Sequence, residues 1–511
     1  MKQISFRDIE KAVKELEKGW NLQSAERPSR NKRGYLRDPI YGYHALSDID
    51  FEFLDSPPLQ RLRYITHLGF VDKIYPGANH TRFEHSIGVA AVAERIMNTL
   101  REKHKSMTPR LKINQSEIWT AKIAGYLHDI GHLPFSHASE GIFFALEIPK
   151  IVNNALGLGD TYAPHELFSY LMAKTPYIQE MVSTVSRQKH LSLDAQQISS
   201  AILGIPKGEK RYLSDIIHSS TDADRIDYLL RDGYYTGVPH GQVDLDHLAR
   251  SFCAIRREKS IWLGIEERGL EAVEALYSSR DIMYPTVYLH HTSRIAEAML
   301  THTLFFAHRD KKINLLDLLG MNDAQLLAKL GEIGYREIAD KFMYRRLHKR
   351  VMVIRARDIE YKGKTVDKLL HEGNKRIKKS VGKINEYFSS WKHLIDFEAE
   401  ILGKTNLEEG QVLIDVSKDF IGLPRTEEDL VPEDYLPVRM RQGDSEPIWR
   451  LSPIICGIET LSKSLRSCVI VAADSSLKTK PIERVRKVFR QKFEEKFNLD
   501  VASSAFFERK A

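Results

Sequence analysis

Cysteine is scarce in this chain: Cys253, Cys456 and Cys468 are the three in 511 residues. They are too few and too scattered for a disulfide framework or a zinc knuckle, and they point to a reducing, cytoplasmic compartment. No apolar run approaches the ~20 residues that a membrane span needs, so no membrane association is expected. The opening stretch, MKQISFRDIEKAVKELEKGW, has the pattern of an amphipathic helix of mixed charge and lacks the apolar core of a signal peptide. Internal repeats and long low-complexity segments are also missing. Neither sign of charge dominates: 76 basic and 69 acidic residues leave a formal +7. That excess is too mild to indicate nucleic acid, but it suits anionic substrates such as nucleotides.

What is present is ordinary for a large globular protein. Hydrophobic residues make up 42% and charged residues 28% of the chain, enough for a sizeable core and two or more subdomains. A helix over 1–20 precedes a basic arm at 24–33, and 1–34 reads as one segment. Tyr35–Tyr43 is extended, with Asp38-Pro39 and Gly42 as turn signals. Pro57-Pro58 opens a helix over Leu59–Leu68, and a long helix runs from Arg82 to about Lys105. Asn114 and Glu117 form a capping-box pattern before a helix that Gly131 and Pro134 end. Helices dominate 141–218 and 219–235, a short hairpin covers 252–255 and 260–264, and a long helix from about Gly269 to Ala307 carries Pro285 as a kink or break. Residues 321–347 are helical. Gln411–Val416, Ile448–Leu451 and Ser467–Ala473 read as strands, followed by a basic helix over Pro481–Phe497. The expectation is a mainly α protein: a helical core at 35–350 with a short β-hairpin, and a smaller α+β subdomain at 351–511 serving oligomerisation or regulation.

The chemistry concentrates in Gly125–Glu140, GYLHDIGHLPFSHASE, which holds His128, Asp129, His132, His137 and Glu140. Any one of these histidines is more often structural. Together with His85 upstream, His165, and Asp224 downstream they read as a metal site assembled from several helices. His85, His128, Asp129 and Asp224 form a mixed nitrogen and oxygen donor set, which suits Mn, Fe, Zn or Co and admits Mg. A divalent ion there would polarise a phosphoryl oxygen. His132 follows His128 by four residues and returns to the same face. His137 and Glu140, three apart, are a candidate proton shuttle. Asp224, Tyr228 and Asp232 step by four along one helix face. Asp227 and Arg231 read as a helix-stabilising ion pair. Arg280, Tyr284 and Tyr288 also step by four, a stripe that on its own reads as core.

These motifs resemble the HD-domain phosphohydrolases, and more closely the deoxynucleoside triphosphate (dNTP) triphosphohydrolases. The matching text is LQRLRYITHLGF at 59–70, YPGANHTRFEHSIGV at 75–89, AGYLHDIGHLPFSHASE at 124–140, His165-Glu166, DADRIDYLLRD at 222–232 and SRDIMYPTVYLHH at 279–291. The resemblance implies a helical HD fold and hydrolysis of a dNTP to deoxynucleoside and inorganic triphosphate, with the 5′-oxygen leaving. It implies His85, His128, Asp129 and Asp224 as metal ligands, and His132, His137 and Glu140 as the catalytic group. Arg82, His165 and Arg225 match triphosphate-holding positions. Tyr228 and Asp232 match residues that pack on the deoxyribose and bind its 3′-hydroxyl. Arg280 matches a substrate-site arginine and Tyr288 a base-side tyrosine. His67 and Tyr284 depart from the family pattern near sugar and base. Asp55, Gln60 and Arg63 match residues that bind an activating nucleotide (GTP or a dNTP) between subunits, and the family implies a homo-oligomer, a tetramer or a hexamer.

Two other readings use the same residues. An HD-type phosphodiesterase, nuclease or nucleotidase would share the metal cage but release a different product. A single-stranded nucleic-acid-binding protein would use the basic arm at 27–33 and the basic helix at 484–492, although such charge runs are more often solvated faces.

Overall fold

In the computed structural model, residues 4–24, 34–103, 111–159, 162–205, 208–355, 359–361, 364–365, 375–416, 436–458 and 468–501 are described. The basic arm falls almost wholly on 25–33 and so lies outside them. By contacts the chain divides into two units, both discontinuous in sequence. The first is Met1–Met283 with Ile313–Ala328 and Val431–Ile455. The second is Tyr284–Lys312, Lys329–Leu430 and Cys456–Ala511. This division follows contacts, whereas the divisions at 34/35 and 350/351 follow composition. The protein is mainly helical, with small sheets.

The first unit is built around two helices, Arg82–Glu102 and Gln115–Leu127. Both are buried on nearly every side, which is why their sequences are apolar beyond a single stripe. They approach closely because Gly125 faces Ala90: a Cβ at 125 would stand 2.9 Å from the Ala90 Cα. The Asn114–Glu117 capping box is present, with Asn114 N–H donating to Glu117 Oε2 at 2.8 Å and Glu117 N–H to Asn114 Oδ1 at 2.9 Å. That cap sets where the second helix begins, and it ends at Leu127, immediately before His128. A third helix, Ala223–Thr236, packs on the first and is capped by Asp222, whose Oδ1 accepts from Arg225 N–H at 2.8 Å.

Two local expectations change and one is sharpened. The segment over Leu59–Leu68 is helical only as Pro57–Arg61 and a 3-10 turn to Tyr64. Beyond it Arg82 N–H donates to Ile65 O at 3.0 Å and His67 N–H to His80 O at 3.0 Å. Pairing of the β-branched Ile65 and Thr66 with 80–82 wins over helix propagation. Tyr35–Tyr43 turns between its two signals, Asp38-Pro39 and Gly42, and so becomes most of a hairpin, Gly34–Asp38 against Gly42–Leu46. Ile448–Leu451 is a short helix rather than a strand. The strand before it ends where Pro447 faces Pro437, since neither has an N–H to extend the ladder. The expected 252–264 hairpin forms as Phe252–Arg257 with Ser260–Glu266 and is enlarged to four strands by Pro437–Arg439 and Ser445–Pro447.

Pro285 breaks its helix. Leu270–Met283 and His291–Arg309 are separate helices, with a π-type turn at Tyr284–Tyr288 between them. The second unit has a three-stranded antiparallel sheet, Lys349–Arg355, Cys468–Ala473 and Val412–Val416, with Cys468–Ala473 central. Trp391–Thr405 and Thr479–Phe497 contribute Phe397, Ile401, Phe489 and Phe493 to its core.

Candidate metal centre

The helix Arg82–Glu102 presents His85 in its first turn, the end of Gln115–Leu127 presents His128 and Asp129, and the helix Ala223–Thr236 presents Asp224 in its first turn. Their donor atoms converge. His85 Nε2 lies 2.9 Å from Asp224 Oδ1, 3.3 Å from His128 Nε2 and 3.7 Å from Asp129 Oδ2. His128 Nε2 lies 3.3 Å from Asp129 Oδ1 and 3.8 Å from Asp224 Oδ1. His85 is fully buried, and Asp224 is the member open to solvent, its side chain 36% exposed.

The tautomers are set from behind. His85 Nδ1–H donates to Asp227 Oδ2 at 2.8 Å, and His128 Nδ1–H donates to Gly125 O at 2.7 Å. With Nδ1 so engaged, each ring in its neutral form would offer its Nε2 lone pair toward the other ring and toward two carboxylates. Such a set of facing acceptors fits a shared divalent cation. The same convergence acts on His85 itself. Burial pushes its pKa down, but hydrogen bonds to Asp224 and Asp227 and the charge of Asp129 outweigh that and raise it to about 10. Positive charge is stabilised at this point.

Asp227 is itself held. Arg231 donates to it through Nε at 2.9 Å and Nη2 at 3.0 Å, and Tyr41 O–H donates to Oδ1 at 2.7 Å. Arg231 also pairs with Asp38 at 2.9 Å. The Asp227–Arg231 pair read from the sequence is present, but its larger role is to hold a cage histidine. Periodicity could not reveal this, because the partner sits on another helix.

A second cluster adjoins the first. Glu140 bridges two histidines, with Oε1 2.6 Å from His165 Nδ1 and Oε2 3.1 Å from His137 Nδ1. His132 stacks on His165 with ring centroids 4.1 Å apart, and its Nε2 lies 3.3 Å from Asp129 Oδ1. Burial raises the Glu140 pKa, but His165 and His137 outweigh it and hold the carboxylate well below its ordinary range. His165 is lowered by burial and raised further by Glu140, to about 9. Burial and then the charge of Arg82 push His132 well below its ordinary value, so it is neutral. His137 is exposed. The turn that carries this cluster is strained: Phe135 and Ser136 have φ of 58° and 53°. It is held by Phe135 N–H on Asp323 Oδ1 at 2.6 Å and by Ser136 O–H on Thr66 O at 2.6 Å.

The structure also locates the remaining candidates. Arg82 is buried and engaged three ways: Nη1 to Asp129 Oδ2 at 2.8 Å, Nε to Ser136 Oγ at 2.8 Å, and Nη2 to His67 O at 3.1 Å. Arg225 donates to Ser220 O at 3.1 Å. Arg280 Nε lies 3.2 Å from Tyr228 Oη, which joins two substrate candidates. Asp232 turns toward His80, whose Nε2 is 2.8 Å from its Oδ1, and His67 lies 3.5 Å away. The His67 ring lies tilted against that of His85, centroids 4.4 Å apart. Tyr288 lies in the second unit beside Tyr284, centroids 5.3 Å apart. Arg63 Nε donates to Gln60 Oε1 at 2.9 Å and covers the Phe83 ring, while Asp55 caps the helix Asp48–Leu54. His80 carries no role in the sequence reading, and Asp227 reads there only as half of an ion pair with Arg231. Both stand inside the motifs at 75–89 and 222–232, and that placement was the available signal.

Residues 82–232 match the HD domain. The chain contains an HD domain. All four converging side chains lie inside that match, and residues 243–428 match the HD associated region. HD domains bind divalent metals, and the His and Asp groups here could hold one. The chain is 31% identical over 315 residues to an uncharacterized protein of Methanocaldococcus jannaschii, covering 62% of this chain and 57% of that one. It is 32% identical to an uncharacterized protein of Bacillus subtilis, covering 55% and 56%. It is 29% identical to the chicken deoxynucleoside triphosphate triphosphohydrolase SAMHD1, covering 59% and 51%. The chain thus spans about half the length of these curated relatives. A solved structure of a hypothetical protein from Aquifex aeolicus superposes with a TM-score of 0.59 at 25% identity, covering 89% of this chain and all of the other. Among the described residues, no helix is long and apolar enough to cross a membrane.

Proposed function

We propose that this HD-domain phosphohydrolase cleaves dNTPs to deoxynucleoside and inorganic triphosphate. One observation carries the reading: the converging His85, His128, Asp129 and Asp224 share a border, through Asp129 and His132, with a Glu140-centred histidine cluster. His85, His128, Asp129 and Asp224 would hold a divalent ion, which when bound would supply Lewis-acid polarisation of a phosphoryl oxygen. The cationic His165 and Arg225 bind and neutralise the triphosphate. Neutral His132 orients a phosphate oxygen or the attacking water. His137, backed by Glu140, delivers a proton to the leaving 5′-oxygen. Tyr228, held by Arg280, packs on the deoxyribose, and Asp232 accepts from its 3′-hydroxyl. The similarity to SAMHD1 supports the substrate class. Asp55, Gln60 and Arg63 are proposed to receive an activating nucleotide in a homo-oligomer, a reading that rests on the sequence resemblance.

A second reading, an HD-type phosphodiesterase or nucleotidase, is favoured by Arg82. Its guanidinium is spent on Asp129, Ser136 and the His67 carbonyl, which leaves less positive charge for a triphosphate. The test is incubation of metal-loaded protein with each dNTP, singly and mixed, with products resolved by ion exchange. Deoxynucleoside plus intact triphosphate supports the first reading, and turnover in mixtures alone supports an activator site. Release of monophosphate or pyrophosphate moves the assignment to the second reading.

A further inference from the structure

His80 lies inside the 75–89 motif but was given no role there, yet it is 1% exposed and sits at a junction of three structural elements. Its Nε2 lies 2.8 Å from Asp232 Oδ1, and both side chains are almost fully buried. Its ring stacks on Tyr235, with centroids 4.5 Å apart and planes 18° from parallel. Its backbone carbonyl accepts His67 N–H at 3.0 Å. The next residue, Thr81, bridges Thr66. The ring can neither slide nor tilt without breaking one of these contacts. A buried carboxylate without a fixed donor would rotate about its last torsion, which is broad for aspartate. With Nε2–H at 2.8 Å from Oδ1 and His67 Nε2 farther off at 3.5 Å from the same oxygen, His80 is the nearer of the two imidazoles that constrain the Asp232 carboxylate plane.

We infer that His80 is a positioning residue: it sets the Asp232 carboxylate in the orientation that reads the sugar hydroxyl of the substrate, and so sets selectivity for a 3′-hydroxyl. The inference rests on the dNTP reading above and deepens it. It follows from chemistry as well as geometry. A site built to hydrogen-bond a hydroxyl rejects the analogue lacking it, because its own polar group is then left without a partner. That rejection needs a carboxylate already aimed, since one free to turn would find other partners inside the protein.

The experiment compares kcat/KM for a dNTP and for its 2′,3′-dideoxy analogue in the wild type, His80→Phe, His80→Gln and Asp232→Asn. Phenylalanine keeps the stack on Tyr235 and removes the donor. Glutamine places an amide N–H close to where Nε2 stands. The wild type is expected to prefer the 3′-hydroxyl substrate by roughly tenfold or more, the worth of one buried hydrogen bond to a charged group. His80→Phe is expected to lose that preference as Asp232→Asn does, chiefly through KM, with metal content unchanged. His80→Gln is expected to retain most of it. The ratio is read within each variant, so a general loss of stability does not mimic the effect. Undiminished preference in His80→Phe overturns the inference alone. Equal turnover of both substrates by the wild type overturns it together with the Asp232 assignment, leaving the reaction standing. No dNTP turnover by the wild type removes the reading on which it rests.

Discussion

His85 and Asp227 stand 2.8 Å apart, Nδ1 to Oδ2, and neither is exposed. The carboxylate comes from a helix position one turn past Asp224, so a single helix supplies both a donor to the cage and the group that orients another donor. Asp227→Asn can still bond to Nδ1, but it lets the imidazole flip tautomer and removes the charge that favours metal on Nε2. Metal affinity is expected to fall about 10- to 100-fold, the usual effect of removing such an outer partner. Titration calorimetry on the metal-free protein measures it. Tyr41→Phe, which removes one of the three hydrogen bonds on Asp227 from residues other than His85, should give a smaller loss. Unchanged affinity in Asp227→Asn would contradict the orienting role.

Removal of a ligand should have two separable effects. Asp129→Ala is expected to lose bound metal and turnover together, and also to lose stability, because Arg82 is left buried without its 2.8 Å partner. Breaking such a pair costs about 3–5 kcal/mol. Arg82→Ala should retain a measurable share of the metal while binding substrate less tightly. Metal analysis beside thermal melting distinguishes them, and full activity in Asp129→Ala would sink the assignment.

Chelation should lower the melting temperature of the wild type. A ligand present at about 100 times its Kd stabilises the folded state by about 2.7 kcal/mol, and that contribution is lost once the cation is removed from the cage of His85, His128, Asp129 and Asp224. Calorimetry with and without chelator tests this. Identical melting would mean that the cage does not hold the metal in the folded protein.

His165 gives the pH dependence a sign. Its folded pKa is raised from 6.5 to about 9, so the ring is cationic below that value and loses its charge as pH rises through it. Its contribution to stability is fully present below pH 6.5 and is lost between there and about 9. Substrate KM should therefore climb as pH passes about 9, while His165→Gln should show a raised KM throughout and no such limb. A wild-type KM that stays flat to pH 10 would remove His165 from the phosphate site.

Gly88 is a packing test. A Cβ there would collide with the Asp227 carboxylate and the Arg231 guanidinium, so Gly88→Ala must displace the pair behind His85. The expected cost is about 1–3 kcal/mol, seen in denaturant unfolding, with weaker metal binding alongside. A neutral Gly88→Ala would show that the pair can shift freely.

The local pattern carried much of this protein. The Asn114–Glu117 cap, the helix starting at Arg82 and the order of the His and Asp motifs all depend on neighbours within a few residues, so the linear text contains them. The convergence of His85, His128, Asp129 and Asp224 was also legible, because several motifs had to be explained at once. The text could not show that Thr66 leaves the helix to pair with Thr81, that Pro437 and Pro447 close a ladder, or that Asp227 and His80 work behind the site. Each depends on a partner far along the chain, brought near by close packing such as Gly125 on Ala90. Side chains at helical spacing declare their own face. Which atoms meet that face is decided when the helices pack, since burial leaves each polar group only the partners that packing brings within reach.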